Sequence, residues 1–162
     1  NSEIIIFGGR LNYSKKLAKF YDVYTKCVTK EYQFTDPMTA SFVKYTINSF
    51  LALKLTFFNQ IYNLLEASNG NNSWENFTRI LKLDKRLGDS HMKVPGDDGR
   101  KGFGGACLPK DVNAFYEYSL KTNDHLSLLK KVININNKIR SQYIIETERE
   151  KDQNIKFFEE EN

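Results

Sequence analysis

Residues 36–68, DPMTASFVKYTINSFLALKLTFFNQIYNLLEAS, are the stretch whose reading decides the fold. Asp36 followed by Pro37 opens a helix: the carboxylate can accept from free N–H groups of the first turn, where proline's missing N–H costs nothing. No glycine or further proline interrupts the run until Asn69-Gly70, which supplies a C-terminal stop. At ~1.5 Å per residue the predicted helix is a rod on the order of 45 Å long. Its apolar residues, from Phe42 and Val43 through Phe57 and Phe58 to Leu64 and Leu65, fall on more than one face. Such a helix must be covered on most sides, and in a chain of 162 residues that predicts burial against a second copy.

Working outward, the chain is expected to be mainly α, a helical domain built on this one long helix. A small α/β portion precedes it. Ile4 to Phe7, closed by Gly8-Gly9, reads as a short buried strand. Leu17, Phe20, Tyr21 and Tyr24 give Leu11 to Tyr24 helical spacing, and Val28 to Phe34 reads as a second strand closed by Thr35 and Asp36. Beyond the rod, Ser73 opens a helix within residues 71–83 whose Trp74 reads as core. A further helix runs from Pro109 to Lys121, and Asp124 is expected to cap another reaching Asn137. Glu146 to Asn162 reads as a charge-rich tail, an exposed helix or a frayed end without chemistry. The expected boundaries are 1–35, 36–142 and 143–162.

A hydrophobic content of 40% with 14% aromatic residues supports a folded chain rather than a disordered one. The 24 basic and 20 acidic residues are spread along the sequence and leave a net charge of +4, which is no nucleic-acid footprint. No apolar run approaches a membrane span, and no signal peptide is visible. Cys27 and Cys107 sit in unrelated contexts without metal-ligand spacing, which points to a reducing, cytoplasmic setting. His91 and His125 have no companion ligands and read as structural or solvent-facing.

Chemistry concentrates in Gly102-Phe103-Gly104-Gly105-Ala106-Cys107-Leu108-Pro109-Lys110-Asp111. Proline fits the first turn of a helix, so Cys107 is placed just before or at a helix N-terminus, where the helix dipole and Lys110 both favour the thiolate. The glycines would let backbone approach a ligand closely. By itself a lone cysteine is more often an inert, half-buried small residue than a nucleophile, and the run lacks the Gly-Lys-Ser/Thr ending of a P-loop. On the long helix Lys44 and Asn48 share a face one turn apart, a spacing that by itself favours a surface lysine and a tolerated asparagine.

Val94-Pro95-Gly96, Asp98-Gly99 and the run from Gly102 to Asp111 resemble the active-site segment of the UDP-glucose/GDP-mannose dehydrogenase family. Lys44-Tyr45, Asn48, Phe50-Leu51-Ala52 and Lys54 are similar to its Lys-Tyr-x-x-Asn-x-Phe-Leu-Ala motif, and Asp84-Lys85-Arg86-Leu87-Gly88 to its Asp-x-Arg-Ile-Gly. Ser41 replaces the glutamate of many members. Asp97 departs from the usual Pro-Gly-Pro-Asp-Gly loop and adds a negative charge beside a nucleotide-sugar. The resemblance fades near Gln142.

The resemblance implies oxidation of a nucleotide-sugar, UDP-glucose to UDP-glucuronate, with two NAD. Cys107 would form the thiohemiacetal and thioester. Lys44 and Asn48 would stabilise the oxyanion, and Asp111 would activate the hydrolytic water. Phe103, Gly104, Gly105 and Lys110 would shape or bind the sugar, joined by Arg86 from a neighbouring subunit of a homodimer. Residues 1–35 would be the remnant of an NAD-binding domain, so the chain alone is expected to be inactive. Glu3 lacks the Asn-Pro-Glu-Phe-Leu context of the family's catalytic glutamate. A non-catalytic assembly module that retains the family fold is the alternative. A hydroxyacid dehydrogenase relative is disfavoured, because the cysteine segment has no role there.

Overall fold

The computed structural model describes residues 4–26, 31–68 and 73–158. It is mainly helical and divides into two compact units, residues 1–47 and 48–162. Glu3, Cys27, the start of the expected second strand and the Asn69-Gly70 stop lie outside the described residues.

In the first unit β1 (Ile5–Gly8), α1 (Leu11–Tyr24) and β2 (Tyr32–Thr35) form a β-α-β arrangement. The strands pair in parallel, Ile5 opposite Tyr32 and Gly8 opposite Thr35, and parallel neighbours need such a crossover. Phe7 is buried and meets the rings of Tyr21, Tyr32 and Phe34 at 5.6–5.9 Å between centroids. On α1, Ser14 and Ala18 are buried, whereas Leu17, Phe20 and Tyr24 stay exposed. Gly8 is required by packing. A Cβ there would lie 2.8 Å from Ala40 Cβ and 3.0 Å from Pro37 Cα at the start of the next helix.

That helix, α2 (Pro37–Ala67), carries Pro37–Ile47 in the first unit and Asn48–Ala67 in the second. Its start follows local capping chemistry: Asp36 Oδ1 accepts from the Thr39 amide at 3.0 Å and Oδ2 from the Thr39 hydroxyl at 2.6 Å. Those two bonds hold the Asp36 carboxyl below its ordinary range.

The second unit adds α3 (Trp74–Leu81), α4 (Cys107–Ser119), α5 (Ser127–Arg140) and the short α6 (Glu148–Asp152). One core gathers Ala52, Phe103, Val112, Leu129, Val132 and Ile133. A second gathers Phe58, Trp74, Met92 and Val94, with the Trp74 indole N–H donating to Met92 O at 3.1 Å. Ser73 caps α3, accepting from the Asn76 amide at 3.2 Å.

Two sequence expectations give way here. Asp124 does not cap α5, whose preceding residue Leu126 carries no side-chain cap. The turn is closed from the other side, where Ser119 Oγ accepts the Leu126 amide at 3.2 Å and Thr122 Oγ1 the Asp124 amide at 3.4 Å. Of the charge-rich C-terminal stretch, the described residues 146–158 are not wholly exposed. Thr147 and Glu150 make a reciprocal capping box, and Glu150 is buried at 1% exposure.

Candidate functional site

The long connection between α3 and α4, residues 82–106, has almost no regular structure of its own, and side chains of the surrounding helices hold it. A loop of this length in a compact domain is uncommon and usually functional. From α2, the Lys54 ammonium donates to Leu87 O at 2.7 Å, Asn59 Oδ1 accepts the Gly102 amide at 2.9 Å, and Asn63 Oδ1 accepts from Lys101 Nζ at 2.8 Å. Asn48, three turns before Asn59 and so on the same stripe, donates to Asp111 Oδ2 at 2.6 Å. Burial pushes the Lys54 ammonium pKa down, with Lys82 adding to the effect and Asp89 opposing it.

From α5, Asn136 bonds Phe103 in both directions, its Oδ1 accepting the amide at 2.7 Å and its Nδ2 donating to the carbonyl at 3.0 Å. Arg140, 2% exposed, donates to Asp98 Oδ2 at 2.8 Å and to Glu150 Oε1. Glu150 Oε1 also accepts the Gly105 amide at 3.4 Å, and Oε2 the Thr147 amide at 2.8 Å. Burial pushes the Glu150 carboxyl up, but the Thr147 bonds and Arg140 together hold it below the ordinary glutamate value. Asn59, Asn136, Arg140 and Glu150 carry no signal in a single sequence, because each acts on a partner distant along the chain.

The glycines of the loop serve this scaffold first. A Cβ on Gly102 would meet Asn136 Oδ1 at 2.7 Å, and one on Gly104 would meet Arg140 Nη2 at 2.2 Å and Glu150 Oε1 at 2.5 Å. In the direction of its missing Cβ, Gly104 is packed against the Arg140–Glu150 pair. Gly105, at φ +71, has open space around its missing side chain and turns the chain into α4 in a conformation that favours glycine.

Cys107 is the first residue of α4, free and exposed, and Pro109 sits within the first turn. Asp111, one turn further, is buried at 2% exposure, with Lys110 Nζ 4.0 Å from its Oδ1. Phe103, expected at the sugar, is buried in the core at 4% exposure and reaches the site chiefly through its backbone. Lys44 is exposed on α2 with its ammonium 5.3 Å from the Tyr45 ring centroid. Arg86 is also exposed and bonds Asp84 at 2.6 Å within its own turn. Lys93 pairs with Asp97 at 2.6 Å, so the extra loop carboxylate comes with a cation of its own.

Two cavities border the loop. One of about 910 Å³ is lined by His91, Lys93, Gly102, Gly104, Leu108 and Arg149, among others. A second of about 360 Å³ brings Cys107 together with Gly104, Gly105, Arg149, Asp152 and Gln153.

The described residues of the first unit do not fit a dinucleotide. The turn after β1 has no Gly-x-Gly-x-x-Gly spacing, and protein atoms occupy the space at its glycines, Ala40 and Pro37 at Gly8 and Ser14 Oγ 3.4 Å from a Cβ at Gly9. Among the described residues no group of three or more His, Cys, Asp and Glu could hold a metal ion. No described helix is long and apolar enough to cross a membrane.

Over residues 38–138 the chain matches the UDP-glucose/GDP-mannose dehydrogenase family, central domain. It is 36% identical over 103 residues to UDP-glucose 6-dehydrogenase YwqF of Bacillus subtilis, an alignment covering 64% of this chain and 22% of that protein. It is 32% identical over 128 residues to a UDP-glucose 6-dehydrogenase of Rickettsia conorii, covering 78% of this chain and 28% of that one. Among solved structures it is similar to a UDP-glucose dehydrogenase from the hyperthermophilic archaeon Pyrobaculum islandicum, with a TM-score of 0.67 and 29% identity, covering 84% of this chain and 29% of that one. The chain spans less than a third of the length of these relatives.

Proposed function

The chain belongs to the UDP-glucose/GDP-mannose dehydrogenase family, and from that premise we propose that it acts first as the helical assembly domain of a nucleotide-sugar dehydrogenase, pairing with a second copy through α2. The observation that carries this reading is an apolar stripe on α2. Phe50, Phe57 and Leu64 recur every seven residues and are 62%, 52% and 66% exposed. Heptad spacing of large apolar side chains suits a helix that lies along another helix. Light scattering tests the reading. A mass near twice the 18.9 kDa of the chain is expected, and Phe57→Asp should return it to monomer. A wild-type mass of one chain would remove the proposal.

The Asn48–Asp111 bond one turn from the exposed Cys107 favours a second reading, that this domain also supplies the reacting thiol of the enzyme. Cys107 Sγ would add to the carbon of an aldehyde at position 6 of the sugar, the thiol proton passing to solvent as the oxyanion forms, and loss of a hydride from that carbon to the acceptor would leave the thioester. Following the resemblance, Lys44 would stabilise that oxyanion, with Asn48 assisting. Asp111, oriented by Asn48, would take the proton of the water that later cleaves the thioester. Phe103 through its backbone, with Gly104 and Gly105, would shape the sugar pocket, Lys110 would bind the sugar, and Arg86 would complete a partner's site. The described residues offer no cradle for the hydride acceptor, NAD, so the chain given UDP-glucose and NAD should form no NADH. Formation of NADH would overturn that division of labour. In an assembled enzyme containing this domain, Cys107→Ser should abolish oxidation, and retained turnover would remove the thiol from the reaction.

A further inference from the structure

From the contacts around Gly105 we infer that Glu150 is a positioning residue for the thiol of Cys107, acting through the backbone of the cysteine loop. The inference rests on the reading of Cys107 as the reacting group. Glu150 is 1% exposed, and its two carboxylate oxygens serve different structures. Oε2 is tied to its own helix through the Thr147 amide at 2.8 Å. Oε1 reaches out, accepting from the Arg140 guanidinium and from the Gly105 amide at 3.4 Å. Gly105 stands two residues before Cys107, at the left-handed turn that feeds the chain into α4.

The same carboxylate is part of a four-charge cluster that spans the loop. Arg140 Nη1 bonds Asp98 at 2.8 Å, and Arg100 Nη1 lies 3.7 Å from Glu150 Oε2. Two acids and two bases therefore fasten Asp98, Arg100 and Gly105 to α5 and α6. Gly104 has no Cβ where one would strike this pair. The surroundings of the thiol depend on the same segment, because Arg149, Asp152 and Gln153 share its cavity. Cys107 is already exposed, so access does not limit its reactivity. What Glu150 controls is the direction of the first α4 turn, the helix end at which Cys107 stands.

The test uses the full chain in a Cys27→Ser background, so that one thiol reports, and follows labelling by iodoacetamide. Glu150→Ala should slow labelling about fivefold with the helical circular dichroism unchanged, the scale of losing a helix-terminus interaction. Glu150→Gln, which keeps an acceptor for the Gly105 amide, should recover part of the rate. Trp74→Phe, which perturbs the other core, should leave it unaltered. A folded Glu150→Ala that labels at the wild-type rate, or a Trp74→Phe that slows as much, would overturn the assignment. Should Glu150→Ala fail to fold, Gly104→Ala perturbs the same pair while keeping every charge, and an unaltered rate there counts against it equally. Amide exchange on the unmutated chain is the final check. A Gly105 amide as fast as that of an open loop contradicts the assignment, whereas one clearly slower than that supports it. Because the readout is thiol reactivity rather than turnover, failure of the sugar-oxidation reading would leave this result standing.

Discussion

Asn48 on α2 donates its side-chain amide to Oδ2 of Asp111 on α4 at 2.6 Å, joining residues 63 apart in the chain beside the helix turn that begins with Cys107. Asp111 is 2% exposed and Asn48 half-buried, so loss of the donor would leave a buried carboxylate oxygen short of a partner, which is expensive. Asn48→Ala should lower stability by about 1–3 kcal/mol, read as a drop in the urea midpoint without a change in slope. A midpoint equal to that of the unmutated chain would mean that the contact is incidental.

Two adjacent glycines should fail for different reasons. Gly104→Ala places a methyl group against Arg140 Nη2 and Glu150 Oε1, both fixed in a buried pair that has no room to withdraw. A loss of about 1–3 kcal/mol is expected, the range for overpacking a filled site. Gly105→Ala meets nothing within 4 Å, and its cost is only that of a left-handed residue, about 1–2 kcal/mol. Both variants should fold, and in Gly104→Ala the Arg140–Glu150 pair should be displaced in a crystal structure while Gly105→Ala leaves it in place.

The start of α2 was legible because Asp36 caps through Thr39, three residues on, and capping chemistry is local. The start of α5 was misread at Asp124 because an aspartate before an apolar periodic run looks like a cap. Ser119, from the previous helix, takes the Leu126 amide instead. The cysteine loop was legible as a motif, but what holds it was not. Asn59 meets Gly102 across 43 positions and Glu150 meets Gly105 across 45, and no periodicity records such a pairing. The C-terminal stretch looked solvated because its composition is charged. One buried glutamate, with Thr147 and Arg140 as partners, is enough to dock it.

Acid sensitivity follows from the same residue. Glu150 is held below its ordinary value of 4.5, so the unfolded chain takes up its proton first and stability rises with pH. This contribution is complete above 4.5 and is lost as pH falls through the lower folded value. His91 acts in the same sense at higher pH, since burial, aided by the Lys54 charge, lowers it from 6.5 and folding is penalised as pH drops below that. Thermal midpoints should therefore fall in two stages. The gap between the unmutated chain and Glu150→Gln should narrow in the lower stage only. A gap that stays constant would show that the Glu150 charge contributes nothing through its ionisation.

Arg86 supplies the sharpest contrast with this buried scaffold. Its side chain is 89% exposed, and its ion-pair partner Asp84 raises its pKa from within the same turn. An exposed pair two residues apart holds no element in place, and salt and side-chain entropy erode what attraction it has. Arg86→Ala should accordingly leave the urea midpoint of the chain where it is, and leave the α2 dimer intact by light scattering. If Arg86 completes a neighbouring site, as proposed, the same substitution in an assembled enzyme should raise the KM for UDP-glucose while the fold is untouched. Mixing Arg86→Ala subunits with Cys107→Ser subunits distinguishes this from a role in its own subunit. Half of each mixed dimer would then pair a wild-type Cys107 with a wild-type Arg86 from the partner, and activity should return. A mixture no more active than its two parents would place Arg86 outside the partner's site.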